Sequence, residues 1–210
     1  MKYLGKPAGM WALFAGSFEK HLTVEFDLTA EQAKDVAVRA KKKYREIIAK
    51  LPEFDKRDRF EMNIVNCAML AAFILCMPQR PDIKTLTDYY AAAMMTPTMK
   101  AFCRASGKKK FTPKDIEGMK ATAKLRAGDR NPYSWNMDFF EYENGSGYEA
   151  RFTTCGICTL MQVLGLYDLT PALCHLDYTM SDAGGASDFV REYTLASGGP
   201  YCDCGYHKKQ

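Results

Sequence analysis

Hydrophobic positions along the chain follow two regimes that divide near residue 130. Before that point they recur every three or four residues: Val36, Ala40, Tyr44, Ile47, Ile48 and Leu51 form one stripe of a helix that opens at Thr29 and stops near Pro52. Thr29 followed by Gln32 is a capping box, in which each side chain satisfies a backbone donor of the first turn. A second helix is predicted from about Asp55 through Met62, Val65, Met69, Phe73 and Cys76 to Pro78. After Ile64 it is apolar nearly all round, interrupted at Asn66, so it belongs at the centre of the packing. Residues 84–95 and 97–105 read as two helices broken at Pro97. Thr112 with Pro113 supplies a cap and a first-turn proline for another, reaching about Arg126.

From Tyr133 the period becomes two. Trp135, Met137, Phe139 and Glu141 take alternate positions, Asn144-Gly145-Ser146-Gly147 supplies the positive-φ residues of a hairpin turn, and Tyr148 to Thr154 is the returning strand. A short helix follows from about Gly156 to Leu164. Thr170 and Pro171 open another that carries Leu173, Cys174, Leu176, Asp177 and Met180 as far as Gly184 and Gly185. Phe189 to Ala196 is predicted as a strand, Gly198-Gly199-Pro200 as a turn, and Tyr201 to His207 as the last strand. The expected fold class is α+β, one domain over residues 1–210. A mainly helical part, 1–130, packs as a layer with an antiparallel sheet carrying inserted short helices, 131–210.

Composition narrows the function. The 210 residues, 47% of them hydrophobic, suit an ordinary globular core. The 29 basic residues against 25 acidic give a formal charge of only +4 and are dispersed, so the concentrated basic stripe of a nucleic-acid-binding protein is missing. Lys108-Lys109-Lys110, after Gly107, reads as a solvated loop. The longest apolar stretch, Ile64 to Met77, is shorter than the ~18 to 20 residues a membrane span needs. The patch Trp11 to Phe14 is too brief for an export signal. It reads as a docked terminus, with a contact in a homo-oligomer as the alternative. A cytoplasmic location follows, where eight cysteines serve as thiols or metal ligands rather than structural disulfides.

Cys67, Cys76 and Cys103 sit on apolar or amphipathic helices and read as packing residues. The other five cysteines lie at element boundaries in the last 56 residues. Cys155 ends a strand and opens a helix, where unsatisfied N–H groups and the helix dipole favour a thiolate. With Cys158 it forms a Cys-x-x-Cys of the dithiol-oxidoreductase kind, but the hairpin before it does not supply the βαβ setting of those proteins. Cys174 and Asp177, three apart, share one helix face. Cys202 and Asp203 follow a Gly-Gly-Pro turn. Three thiols and two carboxylates on a strand end, a helix and a turn can converge on one pocket, and incidental thiols near a turn are the bland alternative. The sequence requires no cofactor. Zinc on Cys155, Cys174 and Cys202 plus an Asp or His satisfies the tetrahedral requirement, although the spacings match no paired Cys-x-x-Cys knuckle.

The segments Cys155 to Leu166, Leu169 to Cys174, Leu176-Asp177-Tyr178, Thr194-Leu195-Ala196, Gly198-Gly199 and Cys202-Asp203 resemble the C-terminal signature of the L-2-amino-thiazoline-4-carboxylic acid hydrolase family. Cys158 within the first motif and Cys204 after the Cys-Asp pair depart from that pattern. The resemblance implies a hydrolase acting on a carbon–nitrogen bond other than a peptide bond. It would open a cyclic, amidine-like C=N ring of a small carboxylate substrate, as in conversion of L-2-amino-thiazoline-4-carboxylate to N-carbamoyl-L-cysteine. On this reading the catalytic set is Cys155, Cys174, Asp177, Cys202 and Asp203. Cys155 is the nucleophile, Asp177 the acid or base, and Asp203 its orienter, unless a cysteine-held zinc activates water instead. Arg151 and Arg191 are candidates to bind the substrate carboxylate, or else cross-strand surface charges. A looser resemblance, to small-molecule-binding modules named after vinyl reductase, gives the non-catalytic alternative. It implies a structural zinc beside an apolar pocket lined by Trp135, Phe139, Phe140, Tyr142 and Phe152, which otherwise form the core face of a sheet.

Overall fold

A computed structural model of the chain describes residues 1–209. Gln210, the end of the expected sheet part, lies outside the described residues. The helical part comprises α1 (Lys6–Glu25), α2 (Ala30–Lys50), α3 (Glu61–Ile74), α4 (Ile83–Met94), α5 (Pro97–Gly107) and α6 (Pro113–Arg126). The hairpin β1 (Met137–Glu141) and β2 (Gly147–Phe152) follows. Next come α7 (Gly156–Val163), α8 (Thr170–Cys174) and α9 (Leu176–Gly184), and then β3 (Ser187–Val190) and β4 (Cys202–Lys208). The four strands form one antiparallel sheet in the order β1-β2-β4-β3. The α+β architecture expected from the two periodicities is therefore present.

Caps and spacing explain most of the helices. Thr29 and Gln32 close the capping box at α2, and Asp82, Thr96 and Thr112 each accept from a backbone N–H in the first turn of α4, α5 and α6. α3 is buried over nearly its whole circumference, which fits its unbroken apolar run. It starts six residues later than the sequence predicts. Asp55 and Arg57 form a local ion pair, and the Asp58 carboxylate turns inward to accept from Phe60 N and Ser134 Oγ and to pair with buried Arg126. That network ties the α6 end to the loop entering the sheet.

α1 is longer than the brief patch at Trp11 to Phe14 suggests. Met10, Phe14, Phe18 and Leu22, four apart, form its buried stripe. The patch itself is split: Trp11 stacks on Tyr44 and Phe73, while Leu13 is 62% exposed. Among the described residues no helix is long and apolar enough to cross a membrane.

The C-terminal part departs from expectation in two places. The helix expected from Thr170 through Met180 is two helices, α8 and α9, that meet at His175. Thr170 is the first residue of α8 and makes no cap; its buried hydroxyl has no partner among the described residues. The strand expected over Phe189 to Ala196 stops at Val190. From there the Asp203 carboxylate takes the backbone N–H groups of Glu192 and Tyr193, and Thr194 caps a 3-10 turn at Leu195–Ser197.

Candidate functional site

Strand alternation decides which residues reach the interior. Phe152 pairs with Cys202, Ala150 with Cys204 and Tyr148 with Tyr206, and these pairs face the helices. The intervening pair, Arg151 with Asp203, faces the other side. Cys202 and Cys204 thus enter the interior from β4, while Asp203 and Arg151 turn away from it.

Cys155 is the residue before the first turn of α7, in extended conformation, and its thiol is held below the ordinary cysteine value. The Cys158 thiol, one turn on, donates to it, and this outweighs the opposing effect of burial. The backbone N–H groups of Cys158 and Ile157 and the Trp135 side chain add to the stabilisation. Cys158 shifts the opposite way, strongly upward, because its proton is held in that hydrogen bond. Gly156 permits the arrangement: a Cβ there would stand 2.1 Å from the Tyr133 carbonyl oxygen, so only glycine lets α7 begin against the loop that carries Trp135.

Cys174 ends α8 and Asp177 lies in the first turn of α9. Arg191, just beyond β3, joins them. One guanidinium nitrogen donates to Asp177 Oδ2 at 2.8 Å and the other to the Cys174 carbonyl at 2.7 Å, with the first nitrogen also 4.0 Å from Cys204 Sγ. The Arg191 side chain is only 6% exposed and lies against the rings of Tyr178 and Phe189. The Asp177 side chain is 46% exposed. Burial raises its carboxyl above the ordinary range against the pull of Arg191. Burial also pushes the Cys174 thiol up to about 12 and raises Cys202 and Cys204. Cys155, Cys174, Cys202 and Asp177 lie near enough for an ionised Cys155 or Asp177 to disfavour ionisation of Cys174 and Cys202. A cleft of about 160 Å³ opens beside Cys174 and Arg191, lined also by Pro171, His175, Tyr178 and Thr194 and not by Cys155, Asp177 or Cys202. That is below the ~300 to 1,000 Å³ of pockets for drug-sized ligands.

The structure thus brings Cys155, Cys174, Asp177, Cys202 and Arg191 together and leaves two expected members outside. Asp203 cannot orient Asp177, since both its oxygens are bound by loop amides on the opposite face. Arg191 holds Asp177 instead. Arg151 pairs with Glu149 at 2.7 Å and lies over the rings of Phe140 and Tyr201 on that outer face. The five aromatics of the binding-module alternative are likewise dispersed. Trp135 and Phe152 pack on Phe60, Phe139 packs on Tyr148, Phe140 is 46% exposed, and Tyr142 stacks on His207. Among the described residues no three His, Cys, Asp or Glu side chains converge as a ligand set for a metal, so the zinc set finds no preformed site.

Sequence reasoning missed the contribution of the helical half. Cys67 and Tyr90, on α3 and α4, feel the charge of Cys174, Cys67 also that of Cys155 and Tyr90 that of Asp177. Tyr90 donates to Asn66 Oδ1 at 2.6 Å. The one available signal was Asn66 itself, the polar residue in an apolar run. Lys110, read as a solvated loop residue, lies with its amine 3.3 Å from the Tyr206 ring centre, and burial lowers it to about 8.

The sequence model of the L-2-amino-thiazoline-4-carboxylic acid hydrolase family matches residues 62–206, well over half of the chain. The matched span runs from the first turn of α3 to β4 and so includes Asn66, Tyr90 and the whole thiol cluster. No curated protein and no solved structure matches the chain.

Proposed function

The chain belongs to the L-2-amino-thiazoline-4-carboxylic acid hydrolase family, and on that premise we propose that it hydrolyses a small cyclic substrate whose ring carries an amidine-like C=N beside a carboxylate. The observation that carries this reading is the stabilised Cys155 thiol at the start of α7, near the ion pair of Asp177 and Arg191.

L-2-Amino-thiazoline-4-carboxylate suits these groups. Its C2 is bonded to two nitrogens and the ring sulfur, and protonation of the amidine makes it electrophilic. The Cys155 thiolate attacks C2. The C2–S bond of the ring then breaks, the ring sulfur leaves as a thiol with a proton from Asp177, and an isothiourea joined to Cys155 remains. Water, relieved of a proton by the Asp177 carboxylate, adds to the same carbon and expels Cys155. The product is N-carbamoyl-L-cysteine. Water's oxygen thus replaces sulfur at C2; the C=N bond provides the electrophile, and the ring opens at carbon–sulfur.

Arg191 fixes the position of Asp177, while burial raises its carboxyl above the ordinary range. Cys174 and Cys202, raised by burial, stay protonated as neutral thiols. Turnover of the thiazoline by wild type and by the Cys155→Ser, Cys174→Ser and Cys202→Ser proteins, each checked for folding, tests the reading. Loss confined to Cys155→Ser is expected. Undiminished turnover in all three would remove the cluster as the catalytic site.

A further inference from the structure

Between Ile64 and Ile74 every residue of α3 is buried except Asn66. A carboxamide in the middle of a core helix is costly unless its hydrogen bonds are met. Here they are met on one side only. Oδ1 accepts from the buried Tyr90 hydroxyl at 2.6 Å, but the only partner of Nδ2 is the Met94 thioether at 3.3 Å, a weak acceptor. The second N–H of the amide and the second lone pair of Oδ1 have no protein partner among the described residues.

The open side of Asn66 continues along the helix. Met62, one turn earlier, and Asn63, three residues earlier, are both exposed and lie on the same face. An open face thus runs from the surface at Met62 and Asn63 inward to Asn66 and its partner Tyr90, on the two helices that pack against α7 and α8, the helices that Cys155 opens and Cys174 ends. A polar residue at the inner end of such a face, with a donor and an acceptor side by side and unused, is placed for a ligand that offers the same pair.

We infer that Asn66, oriented by Tyr90, is a substrate-binding residue that receives an amidine- or urea-type group through paired hydrogen bonds, one donated by Nδ2 and one accepted by Oδ1. This rests on the proposed hydrolase reading and specifies its substrate class. The neutral amidine of the thiazoline, before its ring nitrogen takes up a proton, and the urea of its product both present an N–H beside an acceptor atom. The pair of bonds fixes the plane of the C2 group. Tyr90 touches Asn66 rather than the ligand and is a positioning residue.

The test compares wild type with Asn66→Leu and Asn66→Asp, and with Tyr90→Phe as the positioning variant. Readouts are thermal unfolding, thiazoline turnover, and the rate of Cys155 alkylation by iodoacetamide. Leucine replaces a half-satisfied polar group in an apolar helix, so its fold should be as stable as wild type or more so. Its KM should nonetheless rise at least tenfold with Cys155 alkylation unchanged. Asn66→Asp loses the donor and should bind as weakly. Tyr90→Phe should raise KM severalfold with kcat little altered. An active wild type with unaltered KM in Asn66→Leu overturns this inference alone. So does an Asn66→Leu protein destabilised in parallel with its loss of activity, when Asn66→Asp restores both. A wild type that turns over no thiazoline defeats the hydrolase reading and this assignment with it.

Discussion

Cys158→Ala is the perturbation that isolates the origin of the Cys155 thiolate. The Cys158 thiol is the largest of the groups that hold Cys155 below the ordinary thiol range, ahead of two backbone N–H groups and Trp135. Alanine keeps α7 intact, being a better helix former than cysteine, and removes only the S–H. A hydrogen bond to a charged acceptor contributes about 1.5 to 3 kcal/mol. The low end applies here, because the site is partly open and water replaces some of the lost bond. A loss of about 1.4 kcal/mol is tenfold in an equilibrium, so the ionisation constant of the Cys155 thiol should fall about tenfold. The assay is the pH dependence of Cys155 alkylation by iodoacetamide, read at the peptide by mass spectrometry. In wild type the alkylation rate should rise with pH through a midpoint below the ordinary cysteine value. In Cys158→Ala the midpoint should move to higher pH. An unchanged midpoint would refute the account of how Cys155 is activated.

Three further outcomes follow from the same geometry. Arg191→Met should lower stability in urea by about 2 kcal/mol, because the Asp177 carboxylate and the Cys174 carbonyl lose charge-assisted bonds; unaltered stability would contradict the clamp. Gly156→Ala should lower the melting temperature, since overpacking of this kind costs about 1 to 3 kcal/mol, and should slow Cys155 alkylation as α7 is pushed from the Tyr133 carbonyl. A variant that melts and alkylates as wild type does would show that this contact is not needed. Alkaline pH should destabilise the fold. Cys67, Cys174, Cys202 and Cys204 have folded values above their unfolded ones, so the stability they contribute is full below the unfolded thiol value of about 8.5 and declines as pH rises towards about 12 for Cys174. Chemical denaturation at pH 7 and pH 10 reads this directly, and equal stability at the two would contradict it.

What was legible in the sequence had local causes. The α2 cap, the start of α6 at Thr112-Pro113 and the Asn-Gly hairpin are encoded by neighbours in the chain and appear as read. Cys155 as the residue opening α7 is of the same kind. What was not legible depended on partners far along the chain. Asp203 looks like a partner for Asp177 until the register of β2 and β4 assigns it to the outer face. The strand predicted over Phe189 to Ala196 stops early because Asp203 captures the amides of residues 192 and 193, a bond the local pattern cannot announce. The break between α8 and α9 lacks a sequence breaker, since His175 stays helical in φ and ψ. Asn66 was visible as an anomaly, but its partner Tyr90, which lies near Cys174 and Asp177, is set by how α3 and α4 pack.

The central claim is that Cys155 forms a covalent intermediate during ring opening. Acid quench of wild type early in turnover of the thiazoline carboxylate, followed by intact-mass analysis and peptide mapping, tests it most directly. The account predicts a protein population heavier by one whole substrate, with the added mass on Cys155. Full turnover with no such species under any quench time, or with the mass on Cys174 or Cys202 instead, would contradict it.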